Sequence, residues 1–260
     1  MTRIIAIANH KGGAAKTTTA VNLAASLAGQ GRHVVLIDLD PQANASSWLE
    51  ISDDHGIYSV LAEGRSLQSE MRSSAFERLA VIPANQRLAG ADRMLAGELG
   101  AETILKRRLS EADLKAWEYL IFDTPPALNL LTINALAAST EVLVPVEAHV
   151  LALSGVAQMM TTMALVQDRL NSSLKLTGLL ICRFDSRTRH SLDVKDRITA
   201  KFGDKVLKTV IRENIRLAEA PSFGAPIGSY APNSPGAVDY RALASEIIAM
   251  EEALEAGQDH

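Results

Sequence analysis

The chain predicts an α/β fold: one mainly parallel, twisted sheet with helices on both faces. Three observations carry that expectation. Short apolar runs rich in Val, Ile and Leu recur along the 260 residues and alternate with stretches of helical period. Hydrophobic residues make up 47% of the chain and aromatic ones only 4%, so the core is one of Ala, Leu, Ile and Val. No internal repeat or low-complexity linker divides the sequence, and its length suits one large domain over residues 1–260.

Taken in order, the first run, Ile4–Ala8, reads as a buried strand. The helix expected next, Thr17–Gly29, carries Val21, Leu23, Ala24 and Leu27 on one side and is stopped by Gly29 and Gly31. Further strands are expected at Val34–Asp38, Leu79–Ile82, Tyr119–Asp123, Glu141–Val146, Leu176–Cys182 and Val206–Val210, with another short one at Ile227. Helical period marks Ile57–Ala62, Leu88–Leu95, Thr103–Ala112, Asn129–Ala138, Leu153–Asn171, Leu192–Phe202 and Val238–Leu254.

Between the first strand and the first helix lies Asn9-His10-Lys11-Gly12-Gly13-Ala14-Ala15-Lys16-Thr17-Thr18. A strand that runs through a Gly-Gly loop into Lys-Thr at the head of a helix is a phosphate cradle, a P-loop. Its glycines let backbone N–H groups close on phosphate oxygens, and the helix N-terminus adds partial positive charge. Lys16 would reach the β- and γ-phosphates and the Thr17 hydroxyl would ligate Mg2+. Two positions depart from the usual pattern, His10 and Ala15, where glycines are common. A positive φ at Ala15 would cost about 1 kcal/mol, and more if its methyl met a phosphate; a negative φ would cost little. Lys11 adds a charge at the front of the loop that a P-loop does not require.

With Lys11-Gly12-Gly13-x-x-Lys16-Thr17 in view, the chain resembles the deviant Walker A ATPases, the ParA/MinD family. Asp38-Leu39-Asp40-Pro41-Gln42 is similar to that family's second-strand motif, and Tyr119–Pro126 to its Walker B strand. Leu131–Leu136, Val144-Pro145-Val146, Arg216–Ser222 and Gly224–Ile227 follow in the family's order. The likeness covers nearly the whole chain and is strongest to the short, Soj-like partition ATPases, which lack an N-terminal helix-turn-helix module.

The resemblance implies an ATP- and Mg2+-dependent ATPase, with Lys11, Gly12, Gly13, Ala14, Ala15, Lys16, Thr17 and Thr18 around the phosphates. It implies that Thr17, Asp38 and Asp123 support the metal, that Asp40 positions the attacking water and that Pro221 lines the adenine pocket. Cys182 falls where MinD-type members often place an adenine-contacting Asn. Lys11 is expected to reach the phosphates of a second subunit, so that ATP holds a homodimer together. A ParB-like activator is the implied partner, with chromosome or plasmid segregation as the outcome. Positioning of another cargo is an alternative, as is a nucleotide-impaired variant in which Ala15 spoils the loop.

Composition sets the remaining bounds. The formal net charge of −4 conceals an asymmetry: Asn171–Arg216 holds 11 Lys/Arg against 5 Asp/Glu, and the rest 15 against 25. Arg187 and Arg216, in that basic segment, match positions that contact nonspecific double-stranded DNA in short ParA-type proteins. A surface salt bridge is an equal reading for Arg212. The polar positions of Ile247–Glu255 are acidic, unlike a membrane-binding amphipathic helix, so no membrane attachment is expected. The single cysteine, Cys182, excludes disulfides within the chain, and the expected location is cytoplasmic and nucleoid-associated.

Overall fold

The computed structural model describes residues 2–149 and 152–256. Eight strands form one sheet: β1 Arg3–Ile7, β2 Val34–Asp38, β3 Arg72–Ser73, β4 Leu79–Ile82, β5 Tyr119–Asp123, β6 Glu141–Glu147, β7 Lys175–Phe184 and β8 Val206–Arg212. Their spatial order is β3-β4-β2-β5-β1-β6-β7-β8, with β3 antiparallel to β4 and every other pairing parallel. The helices are α1 Lys16–Gly29, α2 Asn44–Trp48, α3 Gly56–Ala62, α4 Leu67–Glu70, α5 Ala91–Leu95 and α6 Ile104–Ser110. They continue as α7 Leu130–Ala138, α8 Ala152–Arg169, α9 Arg189–Phe202, α10 Ile215–Glu219, α11 Ile227–Tyr230 and α12 Pro235–Ala256.

The inner strands β2, β4 and β5 read as apolar runs because both faces of the sheet are covered there. Side chains alternate between the faces: Ile5 and Ile7 join one core with Val34, Leu36 and the helices α1 and α12, while Ala6 and Ala8 join the other with Val35, Ile37, α6, α7 and α8. The last helix is fastened to the sheet by polar contacts as well as by Tyr240, Leu243 and Ile247. Arg3 donates from Nη1 to the Ile247 carbonyl at 2.7 Å, and the Tyr119 hydroxyl donates to Glu251 at 2.6 Å. Among the described residues no helix is long and apolar enough to cross a membrane.

Two local expectations are corrected, and one short strand falls outside those expected. Ile227 opens a helical turn rather than a strand, because its N–H is taken by Asn22 Oδ1 at 2.7 Å while Pro226 O accepts from Ser229 and Tyr230. The expected helix at Leu88–Leu95 divides into a 3₁₀ segment, Gln86–Gly90, followed by α5. The two-residue strand β3 carries Arg72 and Ser73 and has no apolar pattern to announce it.

The parallel register lines up the strand ends that matter. Ile7 and Asp38 both pair with Asp123, so the exits of β1, β2 and β5 lie side by side. In such a sheet the carboxyl ends of the strands border the ligand crevice.

Candidate nucleotide site

The loop after β1 is held at its start by Asn9, whose Oδ1 accepts from Lys11 N at 3.0 Å and whose Nδ2 donates to Pro145 O at 2.7 Å. His10, in place of the usual glycine, lies 3.0 Å from the Thr162 hydroxyl through Nε2 and so ties the loop to α8. Burial, then the Lys16 charge, holds the His10 pKa below its ordinary value. Gly13 takes φ +77°, a left-handed conformation that glycine adopts without steric cost.

Ala15 resolves the open question of the loop. It stands at φ 60°, ψ 27°, in the left-handed region, as the residue before the first helical turn. The conformation costs about 1 kcal/mol relative to glycine. Ala15→Gly is therefore expected to raise the melting temperature by about 2–4 °C, read by thermal denaturation. No side chain caps α1 and no acidic residue sits in its first turn, which leaves its leading N–H groups available to an anion.

Lys16 is buried at 7% exposure and donates from Nζ to Lys11 O at 3.2 Å. Burial pushes its pKa down, while Asp123 and Asp40 pull it up. Asp123, at the end of β5, is fully buried, and neither carboxylate oxygen has a hydrogen-bond partner. Burial, reinforced by Asp38, raises its pKa well above the carboxylate range; Thr17 draws it down without reaching hydrogen-bond geometry. An unpartnered buried carboxylate beside a threonine hydroxyl and a lysine suits a hydrated Mg2+, which takes oxygen donors from one or two carboxylates plus substrate phosphates. Among the described residues no group of three or more His, Cys, Asp or Glu side chains could hold a metal ion.

Asp38 is also fully buried, but its carboxylate is largely committed. Oδ1 accepts from Asp40 N at 3.0 Å, and Oδ2 accepts from Ser46 N at 2.9 Å and Ser46 Oγ at 2.7 Å. A carboxylate has about four acceptor positions, so one is left for a metal-bound water. Burial pushes its pKa up to about 6 against those hydrogen bonds. Asp40 is 6% exposed and accepts from Gln42 N at 2.9 Å through Oδ1.

Lys11 lies at the surface side of the loop, where Nζ contacts Glu147 Oε2 at 3.0 Å. The other oxygen of Glu147 takes Arg183 at 2.9 Å. Glu147 follows Val144-Pro145-Val146 at the end of β6 and was missed from sequence, because its partner Lys11 lies far away along the chain.

Beside the loop opens a cavity of about 620 Å³ lined by Gly13, Ala15, Thr18, Cys182, Asn214 and Ile215, among others. Burial pushes the Cys182 thiol up to about 12, so it is an inert wall. Pro221 does not line this cavity: it is exposed in the 3₁₀ turn Ala220–Phe223, and the wall is supplied one turn earlier by Asn214, Ile215, Leu217 and Ala218. Asn214 and its neighbours were missed because only their fold onto β7 and β8 makes them a wall.

The two arginines assigned to DNA lie at the surface, each engaged within the chain. Arg187 forms a two-point pair with Asp185, both contacts at 2.9 Å, and lies at the cavity. Arg216 donates to Glu219 at 2.8 Å. Arg212 resolves as a salt bridge to Asp239 at 2.6 Å.

Comparison with known proteins shows the family. A family model described as an AAA domain matches residues 2–176. The chain is 45% identical to the sporulation initiation inhibitor protein Soj of Bacillus subtilis over 252 residues, 96% of this chain and 99% of that protein. It is also 45% identical to the chromosome-partitioning ATPase Soj of Thermus thermophilus, covering 95% and 96% of the two chains. The chain belongs to the ParA/Soj family of partition ATPases.

Solved structures extend the likeness to ligand-bound relatives of this family's fold. A Mycobacterium smegmatis protein named cobyrinic acid a,c-diamide synthase, holding ADP and magnesium, aligns with TM-score 0.84 and 35% identity over 99% of this chain and 97% of that one. A Borrelia burgdorferi plasmid partition protein bound to AMPPNP aligns with TM-score 0.81 and 25% identity over 96% of this chain and 100% of that one. The ParA/Soj P-loop fold is thus shared by the two, with a nucleotide in each.

Proposed function

We propose that this chain is a nucleotide-gated switch: it binds ATP with Mg2+, dimerises, binds DNA without sequence preference, and returns to the monomer after slow hydrolysis. The observation that carries the reading is the convergence of Lys16, the uncapped start of α1 and the unpartnered carboxylate of Asp123 at one strand edge. Backbone N–H groups of Gly12 to Thr18 surround the phosphates, and the Lys16 ammonium neutralises their β/γ charge. Thr17 and Asp123 would hold Mg2+, with the one free acceptor position of Asp38 behind them. Held there, Mg2+ would supply positive charge to offset the charge that develops in phosphoryl transfer. Asp40 orients the attacking water.

Lys11 supplies the link between subunits. Its pair with Glu147 leaves the lysine side chain 39% exposed, so breaking that pair costs about 0–1 kcal/mol. A contact with the γ-phosphate of a second subunit, in a site closed to water, is worth more. ADP offers less charge to that contact, so hydrolysis loosens the dimer. The exposed Arg187 and Arg216 then meet DNA phosphates in pairs only when two subunits are joined, which gives salt-sensitive, sequence-independent binding.

The relatives named for chromosome partitioning support segregation of chromosomal or plasmid DNA as the task, with a ParB-like activator and a cytoplasmic, nucleoid-associated location. The left-handed Ala15 costs the loop about 1 kcal/mol, small against the cradle formed by Lys16 and the uncapped start of α1, so a working loop is preferred to a nucleotide-impaired one. Sedimentation velocity with ATP–Mg2+, ADP–Mg2+ or no nucleotide tests the switch: a dimer with ATP alone is expected, and a monomer in all three states would refute it.

A further inference from the structure

Ser46 has no part in the phosphate cradle, yet it is buried at 1% exposure and joins three segments that border the site. Its hydroxyl donates to Asp38 Oδ2 at 2.7 Å, and its own N–H reaches the same oxygen at 2.9 Å. The same hydroxyl accepts from Ala84 N at 3.0 Å, just past β4. The other oxygen of Asp38 holds the backbone N–H of Asp40 at 3.0 Å. A continuous chain of hydrogen bonds therefore runs from Ala84 through Ser46 and Asp38 to the backbone of Asp40.

The turn that this chain holds is under backbone strain. Ala43, just before α2, takes φ 52°. A non-glycine residue in that region costs about 1–2 kcal/mol and persists only where its surroundings over-determine it. On one side the turn is fixed by the Ser46 contacts; on the other, Asp40 Oδ1 accepts from Gln42 N. The side chain of Asp40 can point consistently only if its own backbone N–H is held, and that hold is Asp38, itself held by Ser46.

We propose that Ser46 is a positioning residue for hydrolysis: by bridging Asp38 and Ala84 it fixes the turn that presents the Asp40 carboxylate to the attacking water. The proposal rests on the reading of the chain as an ATPase. A misplacement of about 1 Å in a group that orients a reactant can cost on the order of 100-fold in rate. Ser46 touches none of Gly12–Thr18 and meets Asp38 at Oδ2, leaving the free acceptor position on Oδ1, so its loss should act on turnover far more than on ATP binding.

The test compares Ser46→Ala and Ser46→Thr with the wild type in kcat, in ATP Kd and in melting temperature. For Ser46→Ala, kcat should fall about 10- to 100-fold while ATP Kd stays within about twofold; Ser46→Thr, which keeps the hydroxyl, should stay within about threefold of wild type in kcat. Should the alanine variant fail to fold, Ser46→Cys fills the site while weakening both the bond donated to Asp38 and the one accepted from Ala84, and is expected to lower kcat in the same direction. An unchanged kcat in a folded Ser46→Ala or Ser46→Cys protein would overturn the proposal. So would a fall of kcat and ATP affinity together, or a threonine variant as slow as the alanine one. A wild-type protein that neither binds nor hydrolyses ATP would instead remove the ATPase reading, and this inference with it.

Discussion

Lys16→Ala should abolish nucleotide binding at micromolar ATP, with Kd raised by about 100-fold or more and turnover lost. The lysine is already buried, so the protein has met the desolvation cost of its charge before a phosphate arrives. Without the ammonium, Asp123 and Asp40 face the triphosphate with no intervening positive side chain of their own. Repulsion then adds to the lost attraction, which is why the expected effect exceeds that of an exposed lysine. Isothermal titration with ATP–Mg2+ measures it directly. Binding within a few-fold of wild type would show that the backbone cradle and metal suffice.

Asp123→Asn should have opposite effects on catalysis and on stability. Hydrolysis should fall by about 100-fold or more, since the carboxylate behind the metal is lost. The nucleotide-free fold should become more stable at neutral pH, because a buried carboxylate with two unpartnered oxygens is replaced by a neutral amide. The sign follows from linkage. Burial and the Asp38 charge raise the Asp123 pKa in the folded state, so folded protein binds the proton more tightly than unfolded protein does. The contribution of Asp123 to the stability of the nucleotide-free wild type is therefore fully present below pH 3.8 and is lost as pH rises through its raised folded pKa. Asp38, with its pKa up to about 6 from an ordinary 3.8, places a loss of its own between those two values. Melting temperatures of the two proteins should diverge as pH rises above 3.8, where unfolded Asp123 ionises and the folded carboxyl holds its proton, by several degrees at pH 7.5 for a difference of about 1–3 kcal/mol. Parallel curves would show that the Asp123 charge is satisfied in the free protein.

Much of this architecture is legible in the chain. β2, β4 and β5 begin and end where their apolar runs do, because strands buried on both faces leave no polar residue inside the run. The P-loop and the two aspartate-ending strands are equally plain, since their chemistry is contiguous in sequence. What escaped the reading depends on tertiary proximity. Glu147 meets Lys11 only because β6 lies beside β1. Ser46 meets Asp38 and Ala84 only once β2 and β4 pair. Asn22, a buried polar residue of α1, accepts the Ile227 N–H and so converts an expected strand into a helical turn. Ala15 shows the limit from the other side: the residue was visible, but its φ is set by how the loop closes.

The arginines of the basic segment are a mixed case. Composition placed the positive charge correctly in the segment Asn171–Arg216, but not its internal neutralisation. Arg212 is engaged with Asp239, and Arg187 with Asp185, whose carboxyl the arginine holds down to about 2. Exposure leaves Arg187 and Arg216 able to exchange a carboxylate for a phosphate, whereas Arg212 is fixed to α12 by several contacts.

The most direct test is binding to duplex DNA of arbitrary sequence at low and moderate salt, with ATP–Mg2+, ADP–Mg2+ or no nucleotide. Binding should appear with ATP–Mg2+ alone, weaken steeply as salt rises, and drop when Arg187 and Arg216 are replaced by alanine. Equal binding in all three nucleotide states, or none in any, would contradict a nucleotide-gated DNA switch.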